Sequence, residues 1–197
     1  MKTTILKLSA FVLIFALMGV GCKKGKELLW KISPDSKTAV IQNEVDGIEF
    51  KFCLLNEKGK PAIVFNEGED FAFNFSFSNK MQDTIVVTTE FINLNFFRVY
   101  RTLDNYDMGK PWTGVWCNYS LAPPEIYIAP SKTKQLYCPW VLAEGVAPEY
   151  PLCMSESKIF LDKGKYYSSF DLDFHYTIGG KKKIINNKTF KINFEIK

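Results

Sequence analysis

Histidine is almost missing from this chain. His175 is the only one in 197 residues, so a nucleophile–histidine–acid enzyme would have to be built around it. No Gly-x-Ser-x-Gly elbow and no phosphate-cradling glycine loop accompany it. None of the five cysteines is spaced as Cys-x-x-Cys. With a single histidine, that removes the usual zinc ligand sets, and neither metal nor cofactor is expected. A large charge of one sign is lacking too. The formal net charge is +4, and the basic clusters Lys23–Lys26 and Lys181–Lys183 have neither the size nor the interleaved aromatics of a nucleic-acid face. No segment carries an apolar stripe of period 3.6, which argues against a helical bundle. No internal repeat of solenoid or propeller length is present.

What is there begins with an address. Lys2 and Lys7 precede the uncharged run Ala10 to Met18, and Gly19, Val20 and Gly21 lead to Cys22. A positive start, a short apolar run and small residues before a cleavage point make a secretory signal. The run is too short to span a bilayer as a helix, which needs roughly 20 residues. Residues 1–21 are therefore read as a signal peptide, residues 22–37 as a tether and residues 38–197 as one domain. Removing Lys2 and Lys7 lowers the net charge from +4 to +2, so no strong polyanion partner follows.

The domain reads as strands. In Phe71-Ala-Phe-Asn-Phe-Ser-Phe-Ser78 every second residue is phenylalanine, the period of a half-buried strand. Residues 48–55 alternate in the same way, as do Phe170 to Tyr176 and Phe190 to Ile196. Further strands are expected over 83–90, 95–102, 113–120 and 132–138, with a Gly179–Gly180 hairpin turn. Residues 143–157, with Pro148 and Pro151, read as a long loop. Eight or nine short strands joined by turns predict an antiparallel β-sandwich.

Cys22 at the end of its run resembles the lipobox of bacterial lipoproteins. The resemblance implies acylation of the Cys22 thiol and, as partner, a lipid bilayer; two or more acyl chains anchor stably. The protein is then expected in the cell envelope, at the outer membrane, with either leaflet open and the lack of acids after Cys22 favouring the periplasmic side. A second resemblance covers roughly residues 63–176. Asn79 ends a strand, Trp112 follows a turn, Pro130 opens a turn before a strand ending at Trp140, and Gly164-x-Tyr166 opens a late strand. In these positions the chain is similar to the BsuPI-type proteinase inhibitors and to lipoproteins carrying such a domain. That similarity implies an immunoglobulin-like sandwich and, as one function, proteinase inhibition. The chain departs from the inhibitors in being exported.

For chemistry, Asp171, Asp173 and His175 share one face of an alternating strand, which reads as a solvated surface. Carboxylate pairs distant in the chain, as in glycosidases, stay open. Lys110-Pro-Trp-Thr-Gly-Val-Trp-Cys-Asn-Tyr119 is the best recognition candidate. Trp112 sits in a turn context, Trp116 and Tyr119 follow, and Trp140 is the fourth aromatic; flat rings of this kind serve sugar and peptide ligands. Once Cys22 is set aside, four cysteines in an oxidising compartment permit three pairings. A single Cys117–Cys153 bridge is expected, with Cys53 and Cys138 reduced inside strands and a Cys53–Cys138 bridge as runner-up. The function expected is a lipid-anchored, non-enzymatic binding domain with a protein or glycan ligand; a BsuPI-type inhibitor and a glycan-binding or glycan-acting protein are the alternatives.

Overall fold

A computed structural model describes residues 28–32, 36, 38–115, 125–141, 151–155 and 158–197. Strand β1 (Leu28–Ile32) precedes the hairpin of β2 (Val40–Val45) and β3 (Ile48–Asn56). The linking Asp46 and Gly47 have φ of 51° and 76°, the two positive values that a tight hairpin turn with the sheet's twist requires. Then follow β4 (Val64–Phe65), β5 (Phe71–Asn79), β6 (Ile85–Thr88), a 3-10 turn (Thr89–Phe91), β7 (Val99–Arg101), β8 (Asp107–Gly109) and β9 (Trp112–Val115). Strands β10 (Glu125–Ile128), β11 (Thr133–Pro139) and β12 (Leu152–Ser155) lead to a long closing hairpin, β13 (Gly164–Ile178) and β14 (Lys181–Ile196).

Two sheets face each other. The larger runs β1-β14-β13-β6-β10, with β4 added to β14 and the β7–β8 pair added to β13; the smaller runs β11-β5-β3-β2. Strands β9 and β12 form a separate ribbon. The protein is an all-β sandwich. It is antiparallel except at β14, which β1 and β4 join in parallel.

Alternation in the sequence decides which residues fill the space between the sheets. Phe71, Phe73, Phe75 and Phe77 are all buried, as are Phe50, Phe52 and Leu54 of β3. From the other sheet come Phe170, Leu172 and Phe174 of β13 and Phe190, Ile192 and Phe194 of β14. The rings meet edge to face across the interlayer: Phe77 and Phe174 at 5.0 Å, Phe52 and Phe170 at 5.1 Å, Phe75 and Phe190 at 5.6 Å. Such geometry sets the positive ring edge on the negative ring face. The pattern changes phase once. Leu172 pairs with Lys188 but Phe174 with Ile185, so β14 holds one extra residue there, and Asn187 takes φ 56°. This β-bulge turns Ile185, an odd-numbered residue, into the core beside even-numbered Phe190 and Ile192.

Three expectations need correction. The tether does not reach residue 37, because Trp30 and Ile32 of β1 are core residues. The Trp30 ring packs against Phe190 at 4.8 Å and Phe50 at 6.1 Å, touching both sheets, so apolar burial recruits this short segment. Residues 143–157 are not all loop, since Leu152–Ser155 pairs with β9 and buries Leu152. The strand expected over 95–102 shrinks to β7, because Phe97 turns the chain with φ 61°. That turn lets Phe96 and Phe97 stack at 4.0 Å inside the core.

Candidate functional site

The tryptophans expected to face a ligand do not. Trp112 and Trp140 are 3% and 2% exposed. Each indole N–H donates to a backbone carbonyl, Trp112 to Phe96 at 2.7 Å and Trp140 to Ile159 at 3.0 Å. Trp140 stacks on Phe71 at 5.7 Å, and the Lys110 ammonium lies 3.3 Å from the centre of the Trp112 ring. A buried indole needs a partner for its N–H, and both find one, so the expectation of surface exposure is corrected. Trp116, Tyr119 and Cys22 lie outside the described residues.

The cysteine expectations divide. Cys53 and Cys138 are both free and buried. They point to opposite faces of the smaller sheet: Cys138 shares the inward side of β11 with Leu136, while Cys53 contacts Asn74 on the outer face of β5. The runner-up Cys53–Cys138 bridge is therefore excluded. Burial pushes the Cys53 thiol up and the Cys138 thiol to about 12. Thiolate is the reactive form, so alkylation of the native protein at pH 8 should leave both unmodified until denaturant is added. Rapid labelling of either in the native state, read by peptide mass, would contradict their burial. Cys117 and the Cys153 side chain lie outside the described residues; the Cys153 backbone pairs with Gly114.

His175 sits where alternation sets it, on the outer face of β13. Its ring nitrogens face Glu90 at 3.6 Å and Asp173 at 3.2 Å, while Asp171 accepts from Thr189 at 2.6 Å. Among the described residues, no three His, Cys, Asp or Glu side chains are grouped to hold a metal ion.

The surface that stands out is the β7–β8 hairpin, at the end of the larger sheet away from the Gly179–Gly180 turn. At its tip Leu103 is 91% exposed and Tyr106 59% exposed. Everything beneath them is braced. Arg101 grips Asp104 with two hydrogen bonds, of 3.0 and 2.6 Å, and this grip holds the Asp104 carboxyl down at about 2. Asp104 also accepts the Tyr106 N–H at 3.1 Å, and the Thr102 N–H donates to Lys165 of β13 at 2.8 Å. Arg98 pairs with Asp107. Directly across the β7–β13 ladder, Tyr100 stacks on Tyr167 at 5.2 Å. The Tyr167 hydroxyl donates to Asn105 at 3.0 Å, and Lys191 lies 4.0 Å from the Tyr167 ring centre. Partial burial pushes the Tyr100 phenol up. Burial, and then the neighbouring Lys31, lowers the Lys191 ammonium.

Beside the tip opens a groove of about 620 Å³ lined by Arg101, Thr102, Leu103, Lys163, Gly164 and Lys165. The hairpin thus offers an apolar and aromatic tip on a rigid stem next to a basic groove. Sequence reading missed these residues. Tyr167 could have been found as an aromatic on the polar side of an alternating strand. Tyr100 and Leu103 could not, because their roles depend on pairing with β13, more than 60 residues along the chain.

The fold and this surface define a β-sandwich with one braced, apolar-tipped hairpin. No family model matches the chain, and no curated protein or solved structure matches it.

Proposed function

We propose that the protein is a lipid-anchored, non-enzymatic interaction domain of the bacterial cell envelope, and that the β7–β8 hairpin is its docking surface for a protein partner. The observation that carries this is the exposure of Leu103 and Tyr106 on a tip whose side chains are already tied down, Arg101 to Asp104 and Tyr167 to Asn105, with the Tyr106 N–H held by Asp104. Large apolar side chains at a stiff tip lose little conformational freedom on binding. Tyrosine and arginine, which cluster here as Tyr100, Tyr106, Arg98 and Arg101, are the residues that carry protein interfaces. Acylation of Cys22 and export follow from the signal and lipobox and complete the reading.

A proteinase inhibitor is the second reading. Beside the resemblance to the BsuPI-type family, what favours it is Leu103, a single apolar side chain held out from a braced turn, as an enzyme's specificity pocket would require.

The acylated full-length protein, cross-linked in its native envelope, should retain a defined protein partner. The Leu103→Asp, Tyr106→Ala double variant should lose at least about 90% of that adduct, corresponding to ~1.4 kcal/mol or more of binding, at an unchanged melting temperature. Equal adduct in the two proteins would overturn the docking surface. Inhibition of a purified proteinase, weakened at least about tenfold by Leu103→Gly, would select the second reading.

A further inference from the structure

We infer that the tip of the β13–β14 hairpin is a membrane foot, in which Lys181, Lys182 and Lys183 engage anionic phospholipid headgroups of the bilayer that holds Cys22. The inference rests on the anchor reading above and adds to it an orientation.

β1 runs parallel to β14, with Leu28 beside Lys188 and Ile32 beside Ile192. The chain therefore enters β1 from the side of the Gly179–Gly180 turn. Cys22 precedes Leu28 by six residues, a reach of at most roughly 20–22 Å at 3.3–3.6 Å per residue. From Lys188 to Lys181 the hairpin continues seven residues in that same direction, roughly 24 Å at ~3.4 Å per residue. The reach of the chain and the length of the hairpin are nearly equal. An acylated Cys22 in the headgroup layer thus brings the hairpin tip to the bilayer, upright or tilted. The other end of the sheet, where Gly164 pairs with Ile196, lies eight residues beyond Lys188, roughly 27 Å the wrong way. The chain is too short to turn that end toward the membrane.

The chemistry of the tip suits that place. Residues 179–184 are all exposed, and Ile184 is 47% exposed. None of the three lysines makes an ion pair among the described residues. Glu90, which lines the same hollow as Lys182 and Lys183, faces His175 instead. Three adjacent free cations beside an acyl anchor supply the second signal that stable attachment to an anionic surface uses. The β7–β8 hairpin then points away from the membrane. Its partner Tyr166 is twelve residues along β13 from Ile178, so with the hairpin upright the docking tip stands roughly 40 Å off the bilayer.

The test uses the acylated full chain in phosphatidylethanolamine vesicles, with and without phosphatidylglycerol. A photo-cross-linking residue replaces Lys182 in one protein and Lys163, at the far end, in another. Lipid adducts should be at least about fivefold more abundant at 182, and should fall in 0.5 M salt or without the anionic lipid, as screening of a surface charge demands. In a separate protein that carries no photo-cross-linking residue, the triple change Lys181→Glu, Lys182→Glu, Lys183→Glu should abolish the preference for phosphatidylglycerol vesicles without altering the melting temperature. The Cys22 peptide is weighed in the same samples. Acylated Cys22 with equal adducts at 182 and 163 overturns the foot and leaves the anchor standing. Unmodified Cys22 overturns the anchor reading and the foot together.

Discussion

A Phe75→Ala protein should lose ~3–5 kcal/mol of stability, the range for deleting a fully buried aromatic ring. Phe75 is the crossing point of the core. Its ring lies within 6.3 Å of those of Phe50, Phe77, Phe91, Phe96, Phe170 and Phe190. These come from both sheets and from the segment between β6 and β7. None can collapse into the vacated space without abandoning its own edge-to-face partner, so the void persists and adds to the lost transfer energy. For a domain of this size the loss amounts to a fall of roughly 6–20 °C in melting temperature. Calorimetry of the variant measures it directly. A melting temperature within a degree of wild type would show that Phe75 is not enclosed as described.

Asn79→Ala should rank next, at ~2–4 kcal/mol, and for a different reason. Asn79 is fully buried, yet no atom of its amide is idle. Its NH₂ donates to the carbonyls of Asp83 at 2.8 Å and Ile128 at 2.9 Å, and its oxygen accepts the Met81 N–H at 2.9 Å. One side chain thus closes the turn between β5 and β6 and ties it to the end of β10. The Asn79 backbone meanwhile pairs with Lys132 and Ser131 in the next turn. Alanine takes a partner from two carbonyls and an N–H; the Ile128 bond is fully buried, where an orphan costs about 1–3 kcal/mol, while the Asp83 and Met81 bonds are partly buried and, with water at hand, add less. Asn79→Asp should also be destabilising, since a carboxylate cannot donate to either carbonyl. Urea denaturation of both variants tests this; an Asn79→Ala protein as stable as wild type would mean that water replaces the amide.

The two residues differ in how visible they were. Phe75 could be read from the chain because a period of two is local: its neighbours at 73 and 77 announce the face. Asn79 could be noticed as the polar end of that strand, but its role depends on Ile128, 49 residues on. The same contrast runs through the molecule. The long hairpin from Gly164 to Ile196 is written in alternation and a Gly-Gly turn. β1 is not, because Leu-Leu-Trp-Lys-Ile among lysines has the composition of a tether, and only the edge of β14 makes it a strand. Trp112 misled because proline and glycine neighbours suggest an exposed turn, whereas the Phe96 carbonyl and the core decide its place. The candidate site was the least legible part. Tyr100, Leu103 and Tyr106 acquire meaning only when β7 is laid against β13, a pairing that no local pattern encodes.

The way β1 joins the sandwich also settles how the protein bears mechanical load. Any tug on the N-terminus reaches the domain through Leu28–Ile32, and the pull runs along the axis of that strand. The slanted hydrogen bonds of its parallel ladder with β14 are therefore strained together, in shear, rather than opened one after another like a zip. Trp30, wedged between Phe190 and Phe50, must be dragged through the core before the ladder can slip. A domain held this way yields late and abruptly when it is pulled along that strand.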